Sequence, residues 1–153
     1  MSILFYSTRE QPYGCFSNFS AHGFELDDAW WPTSEHYFQA QKFAETPFAE
    51  QIRQARSPKE AADLGRKRTF PLRADWEQVK DETMRKAVLR KFETHADIRA
   101  ILLATGDKEI IENTTTDYYW GRGTDGSGRN MLGQILMQVR QILSEHSQSV
   151  RKS

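Results

Sequence analysis

Cys15 is the only cysteine in the chain. One thiol forms no internal disulfide and no thiolate cluster for structural zinc, so a reducing compartment is the default. An excess of one charge is also missing. The 21 Lys and Arg residues are offset by 21 Asp and Glu residues, giving a formal net charge of zero. That balance argues against a protein held to DNA or to a membrane by bulk charge. No apolar run approaches the roughly 18 residues a spanning helix needs. The opening residues Met1 to Glu10 lack the basic start and apolar stretch of a leader. The chain is therefore expected to be cytoplasmic, with no membrane partner.

Several catalytic signatures are absent as well. His22, His36, His95 and His146 form no H-E-x-x-H motif and no ligand spacing with Cys15, so no metal site is expected. There is no G-x-S-x-G elbow for a serine nucleophile. Gly121 to Gly126 matches G-x-G-x-x-G in form, but no β-α-β unit surrounds it and no Gly-Lys-Ser/Thr follows, which excludes a dinucleotide fold and a P-loop. Internal repeats and low-complexity linkers are missing too.

What is present fits one domain. A chain of 153 residues can bury roughly 70% of the surface its unfolded form exposes. Ile3 to Tyr6 reads as a strand, and Phe24-Glu25-Leu26 with Ala29-Trp30-Trp31 as a strand pair turning at Asp27-Asp28. Thr33 or Ser34 caps a helix that carries Glu35 at its positive end. Ser57-Pro58-Lys59-Glu60 is a capping box with proline at the first helical position, and Gly65 reads as the stop. Asp75 caps a helix with Trp76, Val79, Met84, Ala87, Val88 and Phe92 on its apolar face. Lys80, Arg85, Lys86, Arg90 and Lys91 make its other face basic. A further helix holds Ile98, Ile101, Leu102 and Leu103 and ends at Gly106, with a short strand at Ile110-Ile111. The last helix runs from about Asn130 to Leu143 on a stripe of Leu132, Ile135, Leu136, Val139 and Leu143. The expected fold is α+β, a mainly helical single domain with a small N-terminal β-sheet, spanning residues 3–143 ahead of a frayed tail, 144–153.

The most informative stretch is Thr33 to Phe43. At 3.6 residues per turn, Glu35, Gln39 and Lys42 fall along one helix face with Phe38 beside them, so an acid, an amide and an amine share one surface. Glu35 can act as general acid or base. Lys42 can be its charge partner or, desolvated to a lower pKa, a nucleophile. The plainer alternative is a surface acid and a surface lysine two turns apart, too distant for a direct i,i+4 pair.

Other segments leave two readings open. Asp117 to Asn130 contains four glycines ahead of the last helix, which suits either a phosphate cradle at that helix N-terminus or a surface loop. Arg66, Lys67 and Arg68 suit phosphate binding or the preceding helix's macrodipole. Phe16-Ser17-Asn18-Phe19 places two aromatics around a hydrogen-bonding pair, a heterocycle sandwich or simply core. Among the four tryptophans, Trp76 and Trp120 can stack on a planar base or pack inside.

Taken in order, Phe16-Ser17-Asn18-Phe19, the Trp31 to Phe43 run, Gly65-Arg66, Trp120-Gly121 and Asn130-x-Leu132-Gly133 resemble the NADAR, or YbiA-like, family. The likeness extends from about Ile3 to Leu143. It implies an N-glycosidase without a cofactor that hydrolyses a ribose–nitrogen bond. The substrates it implies are early phosphorylated intermediates of riboflavin biosynthesis, ribosyl-pyrimidines that release ribose 5-phosphate and an aminopyrimidine. Other family members remove ADP-ribose from guanine in nucleic acid. Such a bond breaks through an oxocarbenium-like state, which needs a proton for the leaving nitrogen and a group that stabilises or captures the sugar carbon. The resemblance then assigns Glu35 and Asp117 to acid and base roles and Lys42 to a Schiff base with the opened ribose. It places Trp76 and Trp120 at the base, with Arg66 and the Gly121 to Asn130 loop at the phosphate. Phe16, Ser17, Asn18 and Phe19 complete the expected pocket. Two rival readings are a non-catalytic module for ADP-ribose or a nucleotide, and a nucleic-acid binder using Arg85, Lys86, Arg90 and Lys91.

Overall fold

The computed structural model describes residues 2–152, with side chains to His146. The described residues form six α-helices, four short strands and one 3-10 helix, a mainly helical α+β fold. They divide into two compact units. One comprises residues 18–91 and the other residues 1–17 with 92–153.

In the unit of residues 18–91, strands β1 (Phe24–Leu26) and β2 (Ala29–Trp31) pair antiparallel, with Leu26 opposite Ala29. Asp27 and Asp28 between them take φ of 55° and 63°. This is the left-handed pair a two-residue hairpin turn requires, and Asp accepts it better than most side chains. Helix α1 (Ser34–Gln41) follows. Its N-cap Thr33 accepts a hydrogen bond from the His36 N–H. The Thr33 hydroxyl also meets His36 Nδ1 at 2.8 Å while Nε2 faces the Ala55 carbonyl at 3.0 Å. A carbonyl only accepts, so Nε2 carries a proton, while burial lowers the pKa of the ring.

Helix α1 is the buried centre of this unit. His36, Tyr37, Phe38, Gln39 and Ala40 are all inside, and α2 (Pro47–Arg53) and α3 (Pro58–Arg66) pack against it. Phe24, Trp31, Tyr37, Phe43, Phe48 and Ile52 form the core. Helix α2 has no counterpart among the elements expected from the sequence, because only Phe48 and Ile52 are buried on it. The Ser57 cap of α3 is as expected, accepting from the Glu60 N–H at 3.1 Å.

Gly65 does not end α3. It lies inside the helix, and a Cβ there would stand 2.0 Å from Gln39 Oε1, so the glycine serves helix contact and the stop falls after Arg66. Helix α4 (Trp76–Thr94) buries Trp76, Met84, Ala87, Val88 and Phe92 of its expected apolar face, while Val79 is half-buried. Its basic face is less open than the sequence suggests. Lys91 is 1% exposed. Lys86 pairs with Asp27 at 3.1 Å, Lys80 with Glu77 at 2.7 Å and Arg85 with Glu82, while Arg90 donates to the Glu25 carbonyl.

In the other unit, β3 (Ile3–Phe5) pairs in parallel with β4 (Ile110–Glu112). The single N-terminal sheet expected from the sequence is thus two separate two-stranded pairs, and one of them recruits a strand from far along the chain. Tyr13–Phe16 is a 3-10 helix. Phe16 packs edge-on to Phe5 at 5.8 Å and also meets Phe92. Helix α5 (Ala96–Ala104) stops ahead of Gly106, whose φ is 66°. Helix α6 (Met131–Lys152) buries Leu132, Ile135, Leu136, Val139 and Leu143. It runs past Leu143 to Lys152, because no glycine or proline interrupts it. The side chains of the tail from Ser147 onward, and Ser153 altogether, lie outside the described residues.

Candidate active site

Helix α1 presents Glu35 one residue past its start and Lys42 at its C-cap. Both are half-buried. The Lys42 amine lies 5.8 Å from the centre of the Phe38 ring, and Phe38 rests on Trp76 at 5.0 Å. Trp76 is only 5% exposed, so it backs Phe38 instead of offering an open stacking face.

This setting depresses the Lys42 pKa from its ordinary 10.5 to about 8. Burial contributes most. The Arg68 and Arg66 guanidiniums push the same way, and the Glu35 carboxylate opposes them. An amine so placed is deprotonated far more often near neutral pH than a surface lysine. That makes it competent as a nucleophile.

Backbone contacts hold the helix ends. The Glu35 N–H donates to the Asn18 carbonyl at 3.2 Å, and the Ser34 hydroxyl to Asn18 Oδ1 at 2.9 Å. The Arg73 N–H donates to the Lys42 carbonyl at 3.0 Å, and its guanidinium binds Asp75 at 2.6 Å. Gln39 Nε2 donates to Glu35 Oε1 at 2.7 Å. Gln39 lies on the Glu35 face, as its i,i+4 spacing predicts. Arg73 is not among the residues read from the sequence, because its role depends on tertiary contact. Arg66 is exposed and paired with Asp63. Arg68 donates to the Gly65 carbonyl at 2.9 Å. Phe19 is 41% exposed.

The remaining candidates belong to the other unit. Phe16 is 1% exposed and enclosed by aromatic rings, so it is core and not one side of a sandwich. Ser17 follows it, half-buried. Asp117 Oδ1 accepts from the backbone N–H groups of Tyr119 and Trp120 at 2.9 and 2.8 Å, which fixes the turn that carries Trp120. Trp120 is half-buried and edge-on to Tyr119.

The glycine loop differs from the cradle expected at the α6 N-terminus. The N–H groups of Met131 and Leu132 already donate to the Tyr119 and Trp120 carbonyls at 2.9 and 3.0 Å. A Cβ at Gly121 would stand 2.0 Å from Thr114 Cγ2, and one at Gly128 2.4 Å from the Gly121 carbonyl oxygen. These glycines admit protein atoms, not a ligand. Asn130, at φ 53°, accepts from the Glu112 N–H and donates to the Ile110 carbonyl, both at 2.9 Å, so its amide ties β4 to the start of α6. Beside the loop lies a cavity of about 370 Å³ lined by Arg122, Arg129, Gln134, Glu109 and Met137. Its two arginines carry the donors an anion would need.

Among the described residues, no three His, Cys, Asp or Glu side chains converge to hold a metal ion, and no helix is long and apolar enough to cross a membrane.

Comparison with known proteins gives a consistent result. The chain is 52% identical to N-glycosidase YbiA of Escherichia coli (strain K12) over 142 residues, covering 93% of this chain and 88% of that one. It is 53% identical to N-glycosidase Npun_R5314 of Nostoc punctiforme over 144 residues, covering 92% of each. Riboflavin biosynthesis protein VVA0006 of Vibrio vulnificus is 41% identical, across 95% of this chain but 39% of its own length. The NMR structure of the E. coli protein YbiA superimposes with a TM-score of 0.88 at 50% identity, over 96% of this chain and 89% of that one. The NADAR domain family matches residues 4–144, and the chain belongs to that family.

Proposed function

We propose that the chain is an N-glycosidase acting in the cytoplasm on early phosphorylated intermediates of riboflavin biosynthesis, releasing ribose 5-phosphate and an aminopyrimidine. The observation that carries this reading is the Lys42 amine, desolvated over Phe38, pressed by two guanidiniums and sharing its helix face with Glu35. Two lines of similarity support it. The relatives of matching length are N-glycosidases, and a longer relative is a riboflavin biosynthesis protein.

In the proposed reaction the ribose ring C1–O bond breaks as the exocyclic nitrogen forms an imine and passes its proton to the ring oxygen. The Lys42 lone pair then bonds to that carbon as an amine proton moves to the pyrimidine nitrogen. The bond from that carbon to the pyrimidine nitrogen breaks, and the nitrogen leaves with a proton delivered by Glu35. Water then hydrolyses the Lys42 imine, which frees the sugar aldehyde and restores the amine. Arg66 supplies positive charge for the phosphate.

The test is mass-spectrometric identification of products from purified protein offered the ribosylamino-pyrimidine phosphate and, separately, ADP-ribosylated DNA. Ribose 5-phosphate formed at a clearly higher rate from the first is expected. Preferential release of ADP-ribose would instead assign the nucleic-acid activity, and binding without any product would refute catalysis.

A further inference from the structure

Gln39 is the least expected residue on the α1 face. It is 7% exposed, and its Nε2 donates to Glu35 Oε1 at 2.7 Å. Its Oε1 is buried and accepts no hydrogen bond among the described residues. A buried carbonyl without a donor destabilises a fold, and leucine or methionine would fill the same space without that cost. A glutamine here is explained by the contact it makes at its other end.

The opposite wall of this amide is Gly65 on α3. A Cβ there would lie 2.0 Å from Gln39 Oε1, 2.7 Å from its Cδ and 3.1 Å from its Cβ. The glycine therefore forms a notch in which the amide lies with its donor end toward Glu35. Any side chain at position 65 would push it out. The Gly65 carbonyl also receives Arg68, one of the two guanidiniums that lower the Lys42 pKa. One glycine thus touches the supports of both reacting groups.

We propose that Gln39, seated in the Gly65 notch, is a positioning residue that orients the Glu35 carboxylate for proton transfer. The inference rests on the reading of Glu35 given under the proposed function. Gln39 itself touches no reacting atom. It acts by fixing one carboxylate oxygen.

The test is steady-state kinetics on the ribosylamino-pyrimidine phosphate, with a melting curve for each variant. Gln39→Leu keeps the packing volume and removes the donor. It is expected to lower kcat about tenfold to a hundredfold, the cost of a misplaced catalytic group, with KM within about twofold. Gly65→Ala is expected to match it. Gln39→Ala/Gly65→Ala removes the contacts at 2.0 and 2.7 Å but keeps the 3.1 Å approach to the Cβ of residue 39, so it should turn over like Gln39→Ala alone and melt somewhat lower. In the Glu35→Gln background, Gln39→Leu should cost nothing further, since a residue acting through Glu35 loses its effect when Glu35 is gone. A merely structural glutamine would lower both backgrounds by the same factor, and that result overturns the proposal. So does an unchanged kcat in a folded Gln39→Leu, or in Gln39→Met should the leucine variant not fold. Normal turnover in Glu35→Gln alone would overturn the role of Glu35, and this inference with it. Impaired Glu35→Gln beside normal Gln39→Leu would overturn this inference only.

Discussion

The N–H of Glu35 donates to the carbonyl of Asn18 at 3.2 Å, joining Asn18 to the start of α1. The Asn18 side chain repeats the link by accepting from the Ser34 hydroxyl at 2.9 Å. Asn18 anchors α1.

Asn18→Ala leaves the buried Ser34 hydroxyl without this acceptor. The loss should be about 1–3 kcal/mol of stability, read as a lower urea midpoint with an unchanged m value. Ser34→Ala in the same background should add little, because the pair is already broken.

The Lys42 pKa sets the pH profile. With the free amine as nucleophile, kcat/KM should rise with pH through a limb near 8 and level off above it. Arg68→Gln removes a charge that lowers this pKa, so the limb should move to higher pH and activity at pH 7 should fall. An unmoved limb would separate Lys42 from the titration.

The same lysine destabilises the fold. Its native pKa, about 8, lies below the ordinary 10.5, so between those values the unfolded chain binds more protons and stability climbs with pH. Lys42→Met should therefore raise Tm at pH 7, and its advantage over the wild type should shrink as pH passes from 8 to beyond 10. It should also abolish turnover. Thermal melts across that pH range test the first two statements.

If Arg66 meets the phosphate, Arg66→Gln should raise KM for the phosphorylated substrate about tenfold, the loss of one charge-assisted contact. Because Arg66 also lowers the Lys42 pKa, the comparison belongs above about pH 9, where turnover of the dephosphorylated nucleoside analogue should stay unchanged. Equal effects on both substrates there would remove the phosphate from this side chain.

Asn130 offers a structural control. Asn130→Gly keeps the backbone at φ 53° but loses the two bonds to β4, for about 1–3 kcal/mol. Asn130→Ala adds the strain of a left-handed Cβ, about 1 kcal/mol more. Urea midpoints should rank the asparagine above the glycine and the glycine above the alanine.

Local signals in the sequence carried much of the fold. The Asp27-Asp28 turn, the Thr33 and Ser57 caps and the α6 stripe are read from neighbouring residues, and all are present. Tertiary partners decided the rest. Gly65 resembles a helix stop until Gln39 is placed against it, and Gly121 and Gly128 resemble a ligand cradle until Thr114 and a backbone carbonyl occupy the space. Lys91 fits a solvated basic face by its spacing, yet it is buried. Within the candidate site, Glu35 and Lys42 were legible as one face of a helix. Phe38 was legible beside them, whereas the arginines around Lys42 and the packing of Trp76 behind Phe38 required the folded chain.

The most direct measurement of the central claim is borohydride trapping during turnover, followed by peptide mass spectrometry. Reduction of the imine should leave a ribosyl phosphate on the peptide containing Lys42, and Lys42→Arg should yield neither adduct nor product. Full turnover with no adduct at Lys42, or an adduct on another lysine, would contradict the account.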